Sequence, residues 1–133
     1  MIKQITAEQT YDLRHRVMHP NFPMEYIKLT KDQEGIHFGL FVDEKCITVV
    51  SIFLEDNKLQ YRKLATEESE QGKGYGSQML RHVMTYAKKQ KATTVWCNAR
   101  VNKTDFYFKF GMVKTNKTYF KGGFDYVIME KIL

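Results

Sequence analysis

The stretch "EQGKGYGSQML", Glu70 to Leu80, places three glycines at alternate positions immediately before an amphipathic run. The apolar residues that follow recur at helical spacing: Met79, Leu80, Val83, Met84 and Ala87. They predict one apolar stripe on a helix of about four turns. The alternating segment "LQYRKLAT" predicts a strand before the glycines, and "TTVWCN" predicts another after the helix. Strand, glycine loop, helix and strand form a βαβ crossover, which implies a parallel strand pair.

The glycine spacing can be compared with three phosphate-binding motifs. A P-loop requires Ser or Thr after its lysine, but Lys73 is followed by Gly74, so the Mg²⁺-binding hydroxyl is missing. A dinucleotide-binding loop requires G-x-G-x-x-G, whereas this loop reads G-x-G-x-G, and the next strand does not end in an acidic residue. The motif Q-x-x-G-x-G fits, through Gln71, Gly74 and Gly76.

A loop of this kind is suited to a pyrophosphate. Glycines let the backbone approach a ligand closely, and the N–H groups at a helix N-terminus favour negative charge. Lys73 adds a point charge, and Ser77 can donate a hydroxyl hydrogen bond. The alternative is that the glycines only form a tight strand-to-helix turn.

The segments before the glycine loop predict a helix followed by antiparallel strands. "TAEQ" has the pattern of a capping box with Thr6 as the N-cap, and it begins a helix from about Ala7 to Met18. The prolines of "HPNFP" predict a loop, and helical content between Met24 and Gly35 stays open. Ile36–Val42 and Cys46–Glu55 predict a hairpin, and "EDNK" predicts a second turn.

The segments after the βαβ unit predict one short helix and a hairpin. Asn102 is the expected N-cap of the helix, and Gly111 would end it. The final hairpin would turn at Gly122–Gly123. The whole order predicts an α/β fold, of the α+β kind, with a mixed sheet and helices on its faces.

Composition limits the classes of protein that this chain can belong to. With 133 residues, of which 43% are hydrophobic, it can form a single domain over residues 1–133. Neither a membrane-spanning run nor a secretory leader is evident. We interpret Cys46 and Cys97 as buried free thiols in a reducing compartment, which predicts a cytoplasmic protein.

Charge and histidine spacing do not identify a partner. The net charge of +6 could attract a polyanion, but the lysines are scattered, and the densest cluster, Lys88 to Lys91, complements a helix dipole. In the absence of a nucleic-acid motif we predict no nucleic-acid partner and no membrane partner. His15 and His19 have a metal-binding spacing, but no third ligand is evident, so no metal is predicted. Arg14 and Arg16 would face the acceptor site or solvent.

In combination, these motifs resemble the GNAT N-acetyltransferase family, in particular its small bacterial members of unassigned acceptor. The resemblance rests on "YRKLAT", "QGKGYG", the helix through Gln90, "TTVWCNAR", "DFYFKFGM" and "FDYVIMEK". The N-terminal part matches more loosely, through "DLRHRV". The family fold implies a largely antiparallel sheet with a central, splayed parallel pair of strands flanked by helices.

The resemblance implies acetyl-CoA as the acetyl donor, with no metal. The residues that it assigns to coenzyme A are Leu64, Ala65 and Thr66 on the strand, Gln71, Gly72, Lys73, Gly74, Tyr75, Gly76 and Ser77 in the loop, and Arg100. The loop N–H groups would hold the pyrophosphate, and the strand edge would pair with the pantetheine amides. Arg100 stands where many members have asparagine, and it could instead recognise an anionic substrate or face solvent.

The resemblance also implies direct attack by a neutral amine, with the protein mainly positioning the reactants. Tyr107 matches the tyrosine that protonates the leaving thiolate, although it could be a packed aromatic residue. Gln60 stands where some members have a glutamate base, so water is the preferred base, with Asp125 or His37 as alternatives. Glu67, Glu68 and Glu70 are expected to form a solvated acidic turn.

The expected activity is acetyl transfer to a primary amine of a small molecule or a peptide. A non-catalytic acyl-CoA sensor is the alternative. The loop from Pro20 to Gly35 and the final hairpin would shape the acceptor pocket, and the protein would be a monomer or a homodimer.

Overall fold

The computed structural model describes all residues from 1 to 133, and its seven strands form one sheet. The strands are β1 (Ile2–Ile5), β2 (Ile36–Val42), β3 (Lys45–Glu55), β4 (Lys58–Thr66), β5 (Thr94–Arg100), β6 (Val113–Lys121) and β7 (Phe124–Ile132). Their order in the sheet is β1-β2-β3-β4-β5-β7-β6. The sheet is mostly antiparallel, and β4 and β5 form its parallel pair. The predicted mixed α/β fold and its βαβ unit are confirmed.

Three α-helices accompany the sheet. They are α1 (Tyr11–Leu13), α2 (Tyr75–Lys89) and α3 (Thr104–Phe108). A π-helix spans Arg14–Met18, and 3-10 turns span Glu8–Thr10, Met24–Ile27, Asp32–Glu34, Glu68–Glu70 and Val101–Lys103. The predicted apolar stripe of α2 is buried at all five positions. None of these helices combines the length and the apolar character needed to cross a membrane.

The chain divides into two compact units. The first contains Met1–Phe53 and Tyr61–Val83, and the second contains Leu54–Gln60 and Met84–Leu133. A buried cluster in the first unit joins Ile5, Leu13, Val49 and Ala65, with Val17, Met18, Phe41 and Cys46 packed against it. Buried residues of the second unit include Leu59, Val95, Cys97, Ala99, Met112, Val127 and Met129. Both cysteines are free thiols, but Cys46 is only half-buried.

The N-terminal segment follows the prediction except at its start. The capping box is confirmed, because Thr6 N–H donates to Gln9 Oε1 (2.8 Å) and Gln9 N–H donates to Thr6 Oγ1 (3.2 Å). Helical structure continues to Met18, although its hydrogen bonding changes from 3-10 through α to π. Sequence reasoning missed β1, because a four-residue strand is too short to show a periodic pattern.

Two hairpins turn where the sequence predicted, through residues that accept a left-handed backbone. Asp43 and Glu44 have φ of 51° and 66°, and Asp56 and Asn57 have φ of 52° and 63°. Two successive positive φ angles are typical of the type I′ turn, which matches the twist of the strands. The final hairpin turns at Gly122–Gly123, as predicted.

The predicted N-cap of the short helix is wrong. Asn102 lies within the 3-10 turn that precedes α3, and the N-cap position is Lys103, whose side chain makes no capping hydrogen bond. Because the 3-10 turn leads directly into α3, the Asn102 backbone already lies inside the helical run. Gly111 follows the helix with φ of 84°, and its N–H donates to Phe108 O (3.0 Å).

Candidate active site

The glycine loop lies between β4 and α2 in the first unit. Gly72 and Gly74 have φ of 82° and 88°, a conformation that residues with a Cβ rarely adopt. A Cβ built on either glycine would meet no other atom within 4 Å. The glycines are therefore required by the backbone conformation, and the space above them is open rather than filled by protein.

The N-terminus of α2 directly follows this open space. Its first hydrogen bond runs from Gln78 N–H to Gly74 O (3.0 Å). The N–H groups of Tyr75, Gly76 and Ser77 therefore lie in the first turn, where no carbonyl of the helix is available to them. With 15 residues, α2 is long enough for its dipole to favour an anion there.

Two polar side chains of the loop have partners within the loop region. Gln71 Nε2 donates to Thr66 O (3.0 Å), so this amide ties the loop to the end of β4. Lys73 Nζ pairs with Glu70 Oε2 (2.9 Å), and the hydrogen bond to Glu70 raises the pKa of Lys73. This ion pair is exposed and therefore weak, so a phosphate could compete for Lys73.

The strand β4, which is predicted to bind the cofactor, contains one residue with a left-handed backbone conformation. Lys63 has φ of 58° in the middle of β4, immediately before Leu64. A left-handed residue inside a strand re-aims the side chains and N–H groups that follow it. The parallel register of β4 and β5 comprises only Lys58 to Gln60 against Thr94 to Trp96.

The sequence predicts that Glu67 lies in a solvated acidic turn, and for this residue the prediction is wrong. Its carboxylate accepts hydrogen bonds from Arg16 Nη1 (3.1 Å) and Nη2 (2.8 Å), and Arg16 also pairs with Asp12. The hydrogen bond from Arg16 lowers the pKa of Glu67, so the carboxylate is ionised and engaged. Arg16, with 46% of its side chain exposed, therefore connects the π-helix to the residue that follows β4.

The prediction that Arg14 faces the acceptor site or solvent is wrong. Its side chain is fully buried and binds Asp32 through two hydrogen bonds of 2.8 Å. It further donates to Ile27 O (3.1 Å) and Ser51 Oγ (2.7 Å). The pair holds the segment between Pro20 and Gly35 against β3, and nothing in the local pattern distinguishes Arg14 from an exposed arginine.

The same network contains His37, one of the alternative bases. Its Nε2 lies 2.8 Å from Asp32 O and its Nδ1 lies 2.7 Å from Ser51 Oγ. Because a carbonyl can only accept, we assign the proton to Nε2, and Nδ1 then accepts from Ser51. His37 is buried with both nitrogens engaged, which argues against a role as base.

His15 lies in the π-helix, His19 immediately follows it, and both rings contact neighbouring groups of the protein. His15 Nε2 donates to Phe22 O (2.7 Å), which occupies that nitrogen. His19 is buried, and its ring meets Phe22 and Tyr26 edge-on at 5.5 Å and 5.0 Å between centroids.

Tyr107 lies on α3 in the second unit, half-buried beside Phe106. Burial raises the pKa of Tyr107, the electrostatic effect of Cys97 raises it further, and the positive charge of Arg100 opposes this. The hydroxyl therefore stays protonated at neutral pH, which suits a proton donor and excludes a base.

Arg100 ends β5 in the same unit. Its guanidinium carbon lies 3.8 Å from the centroid of the Phe124 ring, a stacked cation–π contact. Its Cα pairs with Tyr126 of β7, whose ring stacks on Tyr119 at 5.1 Å. The structure thus brings Arg100 and Tyr107 together in one unit, and the loop and the end of β4 together in the other.

Comparison with known proteins identifies the family. Residues 2–133 match the model of the acetyltransferase (GNAT) domain. The chain belongs to the GNAT acetyltransferase family. It is therefore an acyltransferase, as the sequence motifs predicted.

Similar GNAT proteins come from several bacteria. The uncharacterised N-acetyltransferase YitI of Bacillus subtilis (strain 168) is 29% identical over 142 residues, covering 99% of this chain and 95% of YitI. A candidate N-acetyltransferase from Lactobacillus plantarum has a crystal structure with a TM-score of 0.88 and 22% identity, covering 99% and 98% of the two chains. A GNAT acetyltransferase from Elizabethkingia anophelis, solved with acetyl-CoA bound, has a TM-score of 0.78 and 19% identity, covering 100% and 97%.

Proposed function

We propose that this protein transfers an acetyl group from acetyl-CoA to a primary amine of a small molecule or a peptide. The observation that carries the proposal is the open, left-handed backbone at Gly72 and Gly74 in front of the N-terminus of α2. Gly76, inside the first turn of α2, adds support, since glycine costs a helix about 1 kcal/mol relative to alanine. Close approach of a ligand to the backbone would account for that cost.

The residues present fit a coenzyme A pyrophosphate. The backbone N–H groups from Gly72 to Ser77 would hold it, with Lys73 as a nearby cation and Gln71 keeping the loop against Thr66. The backbone of Leu64, Ala65 and Thr66 would pair with the pantetheine amides. We assign Arg100 to the same ligand, as an extension of the family resemblance.

When bound, acetyl-CoA supplies an activated acetyl thioester. The chain then has to exclude competing water and hold the amine in line with the thioester. It also has to supply a proton to the leaving sulfur and remove one from the amine. We assign to Tyr107 Oη the proton that the leaving sulfur needs, because a tyrosine hydroxyl is protonated at neutral pH and burial raises the pKa of this one further. The proton lost by the amine passes to water, since Gln60 cannot accept it, His37 is buried in a network and Glu67 is bound by Arg16.

The alternative is an acyl-CoA sensor, which Gln60 in place of a glutamate favours. Both functions require binding of coenzyme A, and only the enzyme releases thiol in the presence of an amine. A panel of amines and peptides with acetyl-CoA, followed by thiol release, separates the two functions. Tight binding of acetyl-CoA without turnover on any acceptor would favour the sensor.

The binding step is tested by a matched pair of glycine variants. Gly74 and Gly123 have nearly equal φ, 88° and 87°, and a Cβ on either meets no protein atom within 4 Å. Gly74→Ala and Gly123→Ala should therefore lose similar stability, about 1–2 kcal/mol each. Calorimetry should show acetyl-CoA binding weakened at least about tenfold in Gly74→Ala only, because only that Cβ would enter the phosphate site.

Two results would count against the proposed function. One is the absence of coenzyme A binding by the unmodified protein. The other is equal affinity for acetyl-CoA in the two glycine variants. Whether the chain acts as a single domain over residues 1–133, and as a monomer or a homodimer, stays a prediction.

A further inference from the structure

An open pocket of about 430 Å³ lies on the final hairpin of the second unit. It is lined by Val101, Thr118, Tyr119, Phe120, Asp125 and Tyr126. Asp125 is the charged residue among these six, although this end of the chain is basic, with seven Lys and Arg against three Asp and Glu from Arg100 to Leu133. Asp125 therefore gives the pocket a negative charge within a basic stretch of the chain.

The other walls of the pocket are mainly aromatic. The rings of Tyr119 and Tyr126 stack at 5.1 Å with an angle of 15° between their planes. Phe120 leaves 69% of its surface exposed and pairs across the hairpin with Asp125. Side chains alternate between the two faces of a hairpin, so Phe120 and Asp125 share one face and the stacked tyrosines lie on the other. The face of the Phe120 ring attracts cations, and the neighbouring Asp125 carboxylate adds a point charge and hydrogen-bond acceptors. This combination suits an ammonium group on an apolar stem.

The pocket also adjoins Arg100, which together with Tyr107 was assigned to the reaction in the same unit. Val101 directly follows Arg100, and the Cα atoms of Arg100 and Tyr126 are paired across β5 and β7. The charge of Arg100 in turn acts on Tyr107. A molecule seated in the pocket thus lies at the end of β5 that carries Arg100.

The ammonium group in this pocket cannot be the nitrogen that reacts. Acetyl transfer requires a neutral amine with a free lone pair, whereas a neighbouring carboxylate stabilises the protonated form. Building on the acetyltransferase function proposed above, we propose that Asp125 and the ring of Phe120 hold a second, non-reacting ammonium group of the acceptor. The acceptor class is then a diamine, a polyamine or a peptide with a basic side chain.

The transfer balances with this arrangement. One nitrogen of the acceptor forms a bond to the acetyl carbon as the carbon–sulfur bond breaks. That nitrogen loses a proton to water, and the sulfur gains one. The second nitrogen stays protonated throughout and changes no bond.

A series of paired acceptors tests the proposal. Rates of thiol release should be compared for 1,4-diaminobutane with n-butylamine and for 1,5-diaminopentane with n-pentylamine. We expect kcat/KM to favour the diamine by about fivefold or more, as an exposed ion pair and a cation–π contact together allow. Asp125→Asn should remove this preference by raising KM for the diamine, with KM for acetyl-CoA unchanged. The matched control is Asp43→Asn, since Asp43 lies in another hairpin turn whose backbone conformation asparagine accepts.

A second measurement does not depend on turnover. Titration with n-pentylammonium, 1-pentanol and pentanoate, followed by NMR shifts of Tyr119 and Phe120, compares three head groups on one stem. We expect the ammonium to bind best and Asp125→Asn to lower its affinity about fivefold. Equal binding of pentanoate, or an unchanged ammonium affinity in Asp125→Asn, would overturn the assignment of the pocket.

The two proposals can fail separately. If acetyl-CoA binds and monoamines react without any preference for diamines, the acceptor class is wrong and the acetyltransferase function stands. If acetyl-CoA does not bind, the proposed function is wrong, and the inference about the acceptor is wrong with it. The NMR titration still decides whether the pocket binds ammonium groups.

Discussion

Replacing Asp32 by alanine should lower the free energy of unfolding by about 3–5 kcal/mol, because it leaves the Arg14 charge buried without its partner. Arg14 and Asp32 expose 0% and 3% of their side chains and share two hydrogen bonds of 2.8 Å. Leu29 N–H also donates to Asp32 (2.9 Å) and would lose its acceptor. A domain of this size has a total stability of about 5–15 kcal/mol, so the loss is a large fraction of it.

The matched control is the exposed ion pair of Lys28 and Glu25. Its atoms are as close, at 2.6 Å, but the side chains are 38% and 80% exposed. Glu25→Ala should therefore cost at most about 1 kcal/mol. Urea denaturation followed by circular dichroism gives both values. The double variant Arg14→Met with Asp32→Ala should be more stable than Asp32→Ala alone, since it removes the unpaired charge.

The pH dependence gives an independent check. Burial acts to raise the pKa of Asp32, but the hydrogen bonds from Arg14 and Leu29 outweigh it, and the pKa is lowered. A lowered folded pKa means that the stabilisation is complete above the unfolded value of about 3.9 and is lost as the pH falls through the folded pKa. The stability difference between the unmodified protein and Asp32→Asn should thus be constant near neutral pH and shrink below about pH 4. Equal costs for Asp32→Ala and Glu25→Ala would refute this reasoning.

Three further predictions concern the caps, the loop and the reaction. Thr6→Ala should cost about 1 kcal/mol through loss of the capping box, whereas Asn102→Ala should change the unfolding free energy by less than about 0.5 kcal/mol; urea denaturation compares them. Gln71→Ala should weaken coenzyme A binding about fivefold in calorimetry, by releasing the loop from Thr66 O, with a stability change of about 1 kcal/mol or less. Tyr107→Phe should lower kcat about 100-fold with little change in KM for acetyl-CoA. Because the pKa of Tyr107 is raised above about 10, ionisation of this group should not lower the rate of thiol release below that pH. If Tyr107→Phe lowered the affinity for acetyl-CoA as much as it lowered kcat, the assigned role of Tyr107 would be contradicted.

Much of the fold could be predicted from local patterns. The stripe on α2 has a helical period, the capping box of Thr6 involves residues three apart, and the hairpin turns need residues that accept positive φ. Each of these signals lies within a few residues of the structure that it specifies. The strand β1 was missed because its pairing with β2 depends on residues more than thirty positions away.

In the candidate active site too, some features follow from local sequence and others from long-range packing. The sequence by itself determined the glycine loop, because the conformations of Gly72 and Gly74 and the start of α2 are local properties of the chain. Only the tertiary structure decided which carboxylates the arginines pair with: Arg14 pairs with a residue 18 positions away, and Arg16 with one 51 positions away. Charged residues have the same sequence pattern whether they are solvated or buried with a partner, since the partner and the burial are created by long-range packing.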